Sequence, residues 1–362
     1  MIHPCVHPDE GLALWIATPH IRPDYRGPTE RAFTPFGDPA NAGPILQRLK
    51  AVARMHPQAV AIADGEASLS FAELWQAVLR LGRAIESTQT ADRPVGILLP
   101  TDRSYIVAVF ACLAARRVAV LLDASFPLAR NRAIAAATGV GLLITSRSET
   151  SAGWPDTVAL DPANSFERTN TNSLSDDLVA AFPLDAPAFV LCTSGSSGHP
   201  KPIAHSQRTM LHWVRASHDG MHINTSDRVL SLSSLSALGG FVALLSNPLA
   251  GAAIQLFDIK LRKITGLLDL LAGEPVTILR AAPSLLRCIV QLPDAKNALA
   301  GLRLIQSYGE PLLMSDIHDL RKVLPSDCFI RSTYGSTEAS GLTWFAHPLD
   351  CQDSVRVPAG TL

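Results

Sequence analysis

Thr193-Ser194-Gly195-Ser196-Ser197-Gly198-His199-Pro200-Lys201 is a run of small hydroxyls and glycine that ends on a cation. The apolar residues Ala188-Phe189-Val190-Leu191-Cys192 lead into it and read as a buried strand. Glycine lets backbone N–H groups turn toward one point, because no Cβ bars positive φ. Converging N–H groups, Ser and Thr hydroxyls and one ammonium make a cradle for phosphate oxygens. A flexible Ser/Gly surface loop is the competing reading, but it requires neither the rigid Pro200, nor a terminal lysine, nor a strand feeding it. The common P-loop has Gly-Lys-Ser/Thr at its close. Here Pro200 separates the glycines from Lys201, and no usable acid follows an early strand, which disfavours a kinase or ATPase of that type.

Outward from this loop, strand and helix patterns alternate. Ile45, Leu46, Leu49, Val52 and Ala53 have helical spacing between Gly43 and Met55, and Pro57 ends that helix. Ala59–Ala63 reads as a strand, and Asp64-Gly65 as a tight turn. Ser70 followed by Glu73 is a capping box for a helix to about Ile85. Val95–Leu99, Val118–Leu122 and Gly141–Thr145 are apolar strands of the parallel-sheet type, with an apolar helix over Ile106–Ala115. A helix is expected over His205–Ser217, where its positive N-terminus would assist the phosphate loop. Further strands are expected at Val229–Leu232, Val276–Ala281, Leu302–Ser307 and Cys328–Arg331, and a helix over Phe241–Leu245. The pattern predicts an α/β protein with two mainly parallel-sheet lobes. The expected organisation is an irregular extension over 1–42, with Trp15 and Phe33 able to dock on the body, a first lobe over 43–180, and a second lobe over 181–362 opened by the phosphate loop.

The composition fits this. The 362 residues are 47% hydrophobic and 17% charged, which supports large cores and argues against disorder. Lys and Arg number 31 and Asp and Glu 32, so no global field points to nucleic acid or an anionic membrane. No apolar run is long enough for a membrane span, and the N-terminus lacks the pattern of a secretory signal. The six cysteines show no metal-ligand spacing. Cys112, Cys192 and Cys288 lie in apolar runs and are expected to be small core residues, as in a reducing cytoplasm.

A second motif, Ser332-Thr333-Tyr334-Gly335-Ser336-Thr337-Glu338, follows the strand ending at Arg331. Together the two motifs resemble those of the adenylate-forming superfamily: acyl-CoA synthetases, luciferases and the adenylation domains of nonribosomal peptide synthetases. The usual loop there, Thr-Ser-Gly-Ser/Thr-Thr/Ser-Gly-x-Pro-Lys-Gly, is matched through Lys201, with Pro202 in place of the last glycine. Leu69–Leu74 is similar to the family's Leu-Thr/Ser-Tyr-x-Glu-Leu element. Tyr308-Gly309-Glu310-Pro311 resembles a Gly-Gly-Glu segment with Tyr308 replacing its first glycine, and Asp123-Ala124 stands where Asp-Pro is usual.

The resemblance implies the large N-terminal domain of such an enzyme. It would activate a carboxylic acid as an acyl-adenylate with release of pyrophosphate, using ATP and Mg²⁺. Thr193, Ser194, Gly195, Ser196, Ser197, Gly198 and Lys201 would hold the β- and γ-phosphates. Gly309, Glu310 and Pro311 would line the adenine face, with Tyr308 narrowing that pocket. Tyr334 would stack on adenine, with Gly335 and Ser336 also in the nucleotide site, Thr337 would touch the α-phosphate, and Glu338 would hold the metal. These types suit the tasks: a flat aromatic face for a base, a hydroxyl for a phosphoryl oxygen, and a carboxylate for Mg²⁺. Lys201, Thr337 and Glu338 are the expected catalytic residues. The acceptor would be coenzyme A or, as the peptide-synthetase-like segments suggest, a carrier-protein phosphopantetheine thiol.

Amino-acid-activating relatives place an Asp near the position of Gly239 to pair with the substrate ammonium. No acid occurs between Val229 and Phe257, and a buried unpaired ammonium is costly, so a free α-amino acid is not the expected substrate. Val355–Leu362 resembles a segment after which relatives add a barrel, a hinge and a lid bearing a lysine. The chain is therefore expected to bind nucleotide with weak or absent turnover. The alternative reading is a degenerate, non-catalytic module that keeps the fold as a binding or scaffolding part, motivated by Pro202, Tyr308 and Ala124.

Overall fold

Local capping and apolar spacing build the elements, and long-range strand pairing then distributes them. The computed structural model describes residues 27–38, 43–65, 67–88, 90, 92–146, 154, 157–166, 182–193, 200–339 and 341–346. Helix α1 (Ile45–Met55) buries the five apolar positions read from its spacing. Strands β1 (Val60–Ala63) and β2 (Ser68–Ser70) follow, and then α2 (Phe71–Glu86). At the start of α2 the capping box forms: Glu73 N donates to Ser70 Oγ at 3.3 Å, and Ser70 N donates to Glu73 Oε2 at 3.0 Å. Next come β3 (Val95–Leu98), α3 (Arg103–Ala114), β4 (Ala119–Leu121), α4 (Leu128–Thr138), β5 (Leu142–Thr145) and β6 (Val158–Leu160). Asp102 caps α3 through Ser104 N at 2.8 Å. Every residue of α3 from Tyr105 to Ala114 is buried, as expected of a helix that is apolar on all sides.

The strand before the phosphate loop is β7 (Pro187–Thr193), and it is followed by another strand, β8 (Lys201–Ser206), before α5 (Gln207–Met221) begins. The rest is β9 (Arg228–Ser231), α6 (Leu238–Leu249), β10 (Ala253–Gln255), α7 (Ile259–Gly273, interrupted at Lys263), β11 (Ile278–Ala281), α8 (Pro283–Val290) and α9 (Ala295–Ala298). The order closes with β12 (Leu304–Tyr308), α10 (Met314–Val323), β13 (Phe329–Tyr334) and β14 (Leu342–Phe345).

Two sheets result. One runs β6-β5-β3-β4-β7-β8, and the other runs β14-β13-β12-β11-β9-β10-β1-β2. Both are parallel except at edges: β8 is antiparallel to β7, β14 to β13, and β2 to β1. This corrects the expected lobe boundary. β1 and β2 join the eight-stranded sheet, and β7 and β8 complete the six-stranded one, so the phosphate loop closes the first sheet instead of opening the second. Local patterns carry no information about such pairing, because every buried parallel strand has the same apolar signature.

One core cluster takes side chains from β3, β4, β5 and β7 of the first sheet, from β1 and β10 of the second, and from α1, α2, α3, α5 and α6. A helical layer is thus shared by both sheets. The rings of Phe189 on β7 and Phe241 on α6 meet edge-on at 4.9 Å within it. A second cluster packs α7 to α10 on the eight-stranded sheet. Residues 27–38 form no helix or strand. They dock through Phe33, stacked 3.8 Å from the His222 ring, and through Phe36 N, which donates to Asp219 Oδ1 at 2.8 Å. Trp15 lies outside the described residues. Cys112 is buried as expected and Cys192 is half-buried. Cys288, read as a core residue, is exposed on α8, because its apolar run is one stripe of an amphipathic helix.

Candidate functional site

The first motif is the closed end of the β7–β8 hairpin. Thr193 and Lys201 are register partners, so the chain leaves and re-enters the sheet at one level. Ser194, Gly195, Ser196, Ser197, Gly198 and His199 lie outside the described residues. Lys201 is exposed. Pro202 stands opposite Cys192 and brings no N–H to the ladder. It is tolerated because β8 is the edge of its sheet. The expected helix directly behind the loop is corrected: α5 starts only at Gln207, capped by Ser206 Oγ, which accepts from Thr209 N at 3.2 Å. Its N-terminal dipole is therefore not adjacent to Lys201.

The second motif ends β13. Tyr334 is 68% exposed, an unusual placement for an aromatic and one that leaves its face open. Gly335 and Gly341 pass so closely that a Cβ on Gly335 would lie 2.9 Å from Gly341 Cα, and one on Gly341 would lie 2.3 Å from Tyr334 O. Two glycines thus permit the tight return into β14. Thr337 is half-buried, while Ser336 and Glu338 are exposed. Glu338 acts electrostatically on His205 of β8: burial pushes the imidazole below its ordinary value, and the Glu338 carboxylate pulls it upward. The Glu338 turn of one sheet thus comes within electrostatic reach of β8 of the other at His205, four residues past Lys201.

Gly309, Glu310 and Pro311 follow β12, the neighbour of β13, and are exposed at the carboxyl ends of the parallel strands. Ligands of open parallel sheets bind at such ends. Gly309 has φ +86°, a left-handed conformation that suits glycine. The Glu310 carboxylate is committed to α8, accepting from Ser284 N at 3.0 Å and from Ser284 Oγ at 2.8 Å. Tyr308 points elsewhere. Its ring lies against the start of α6, where a Cβ on Gly239 would come within 2.5 Å of Tyr308 Cε2, and its hydroxyl is 3.3 Å from Ser231 Oγ. It narrows the space beside α6, away from the strand end at Gly309.

Two residues were given no site role by the sequence reading. Asp123, just past β4, accepts from Ser234 Oγ at 2.6 Å and so ties the first sheet to the segment leading into α6. Burial alone would raise its pKa, but hydrogen bonds from Ser125 and Ser234 and the charge of Lys260 hold it below the usual carboxylate value. The second is Arg280, 2% exposed, on β11. Its signal was a lone cation within the apolar run Val276–Ala282.

The Thr193–Lys201 motif closing β7–β8 and the Tyr-Gly-x-Thr-Glu turn ending β13, carried on two mainly parallel sheets, give the arrangement of an α/β protein of the adenylate-forming class. Residues 49–362 match the family described as AMP-binding enzyme, and the chain belongs to that family. It is 29% identical over 289 residues to pyochelin synthetase PchE of Pseudomonas aeruginosa, an alignment covering 78% of this chain and 19% of that protein. It is 26% identical to a dimodular nonribosomal peptide synthase of Bacillus subtilis, covering 78% of this chain and 12% of the relative. The chain thus spans a fifth or less of the length of these curated relatives. The N-terminal subdomain of Klebsiella oxytoca NpsA in complex with 3-hydroxybenzoyl-AMSN shares the fold at TM-score 0.77 and 17% identity, covering 88% of this chain and 80% of that one. The AMPPNP-bound form of the nonribosomal peptide synthetase FmoA3 superposes at TM-score 0.77 with 25% identity, covering 90% of this chain and 35% of that one.

Proposed function

We propose that this chain is the nucleotide- and acid-binding core of an enzyme that activates a carboxylic acid as its adenylate. A carboxylate oxygen of the acid attacks the α-phosphorus of ATP. The bond from that phosphorus to the bridging oxygen breaks, and pyrophosphate leaves with the electron pair. The protein's task is to position the reactants and neutralise charge. Thr193 to Gly198 and Lys201 hold the β- and γ-phosphates, Tyr334 offers its open face to adenine, and Thr337 donates to the α-phosphate. The exposed Glu338 carboxylate fits a Mg²⁺ ion, which is bound by one or two carboxylates together with substrate phosphates; when bound it supplies neutralising charge on the phosphates. The supporting observation is that a chain matching the AMP-binding family over residues 49–362 carries both motifs at strand ends, one beside Lys201 on β8 and one at the end of β13.

The acid lacks an α-ammonium, because Gly239 brings no carboxylate and Tyr308 occupies the space beside it. The acceptor in this reading is a thiol, either the phosphopantetheine arm of a carrier protein or coenzyme A. Similarity to peptide synthetases supports the carrier protein. Among the described residues no helix is long and apolar enough to cross a membrane, and the reading places the chain in the cytoplasm with its ATP. Calorimetric titration with ATP and Mg²⁺ tests it. One equivalent is expected to bind, and Lys201→Ala and Glu338→Ala are expected to weaken binding about tenfold or more, as loss of a charge-assisted contact does. Absence of binding by folded wild-type chain, or unchanged affinity in both variants, would reject it.

A further inference from the structure

Among the buried cations that the adenylation reading leaves unused is Arg280. Arg280 lies one residue before the carboxyl end of β11, and its Nε and Nη1 have no hydrogen-bond partner. Its register partners are Ser231 on β9 and Gln306 on β12, so the three side chains share one face of the sheet. Gln306 is buried too. Its Nε2 donates to Thr333 Oγ1 at 2.9 Å, while its Oε1 accepts nothing. Tyr308, two residues along the same face, has its ring centre 5.7 Å from the Arg280 guanidinium carbon and abuts Gly239 at the start of α6. Thr333 immediately precedes Tyr334. Thr333 is the register partner of Tyr308, so a row of polar groups on this face leads from Thr333 at the strand end through Gln306 to Arg280, roughly 7 Å deeper along the strands than Tyr308 at two residues' rise.

A guanidinium stays charged when buried, and donors buried without acceptors carry their full desolvation cost. The Tyr308 ring lies to one side and supplies no acceptor to the in-plane N–H groups. Among the described residues no carboxylate acts on Arg280; burial lowers its pKa and the Tyr308 phenol opposes this. A planar carboxylate is the natural complement of this fork. We propose that Arg280 receives a second carboxylate on the acid substrate, so that the enzyme activates a dicarboxylic acid without an α-ammonium. The inference rests on the adenylation reading. One carboxylate reacts at the strand ends, and the other pairs with Arg280, with Gln306 beside it. The Tyr308 ring, 5.7 Å from the guanidinium carbon, borders that path.

The test titrates the whole chain, first with ATP and Mg²⁺. It then compares succinate, glutarate and adipate with butyrate, valerate and hexanoate in the presence of a nonhydrolysable ATP analogue and Mg²⁺. At least one diacid is expected to bind about tenfold to a hundredfold tighter than its monoacid partner. Arg280→Gln should abolish that preference while leaving monoacid affinity unchanged or higher, which a merely structural role would not do. Arg280→Lys keeps the charge but loses the fork, and should give an intermediate preference; it also serves if the glutamine variant does not fold. Failure of the wild-type chain to bind ATP overturns both readings. ATP binding with no diacid preference, or a preference that survives Arg280→Gln, overturns the Arg280 assignment alone.

Discussion

Tyr308 and Gly239 show how two single residues depart from the family pattern together. A side chain at 239 would collide with the Tyr308 ring, so the aromatic at one position is accommodated by the absence of a side chain at the other. The sequence displayed both departures, but not that they touch. Glu338, Tyr334 and Lys201 were legible because their neighbours form ordered motifs. Arg280 was visible as a cation in an apolar strand, yet its lack of a partner is a property of the surrounding fold. Asp227 carries the prediction at this scale. Its buried carboxylate accepts two hydrogen bonds of 2.7 Å from Arg303 and faces Arg31 at 3.2 Å. Burial alone would raise its pKa, but the Arg303 hydrogen bonds and charge hold it below the usual value. The group therefore titrates lower folded than unfolded. Its stabilising contribution is complete above the unfolded carboxylate value of about 3.9 and is lost as pH falls through the folded one. Asp227→Asn should cost about 3–5 kcal/mol at neutral pH, as expected when one partner of a buried pair is removed. Denaturant titrations of both proteins between neutral and strongly acidic pH should show the difference shrinking as pH falls. A difference independent of pH would contradict this account.

Among elements, the hairpins carry the two ordered motifs. The capping box at Ser70 was readable because it is a contact between residues three apart. β8 was not, since Pro202 and the short polar run Lys201–Ser206 argue against a strand in isolation, and only an edge position accommodates them. The turn between β13 and β14 is likewise a matter of clearance. A Cβ on Gly341 would lie 2.3 Å from Tyr334 O, so Gly341→Ala must displace the carbonyl of the residue assigned to adenine. ATP affinity measured by calorimetry should fall about tenfold, corresponding to about 1.4 kcal/mol of lost positioning, with little change in far-ultraviolet circular dichroism. Wild-type affinity in this variant would detach Tyr334 from the nucleotide site.

Across the whole molecule, the helical layer shared by both sheets makes the two one cooperative body. Phe189 and Phe241 meet in that layer and are fully buried. Phe241→Ala should cost about 3–5 kcal/mol and should shift a single thermal transition seen alike by near- and far-ultraviolet circular dichroism. Two separated transitions, with only one of them moved, would mean that the sheets unfold independently. By itself the sequence determined the α/β class, most helices and strands, and the two ordered motifs that mark the family, because these rest on local spacing, capping and short ordered strings of residues. The tertiary structure alone decided that β1 pairs with β10, that the phosphate loop closes the first sheet, that Tyr308 faces Gly239, and that Arg280 has no carboxylate among its described neighbours. Those are pairings between residues distant in the chain. Many apolar strands satisfy the same local pattern, and burial and register select among them only when the whole core assembles.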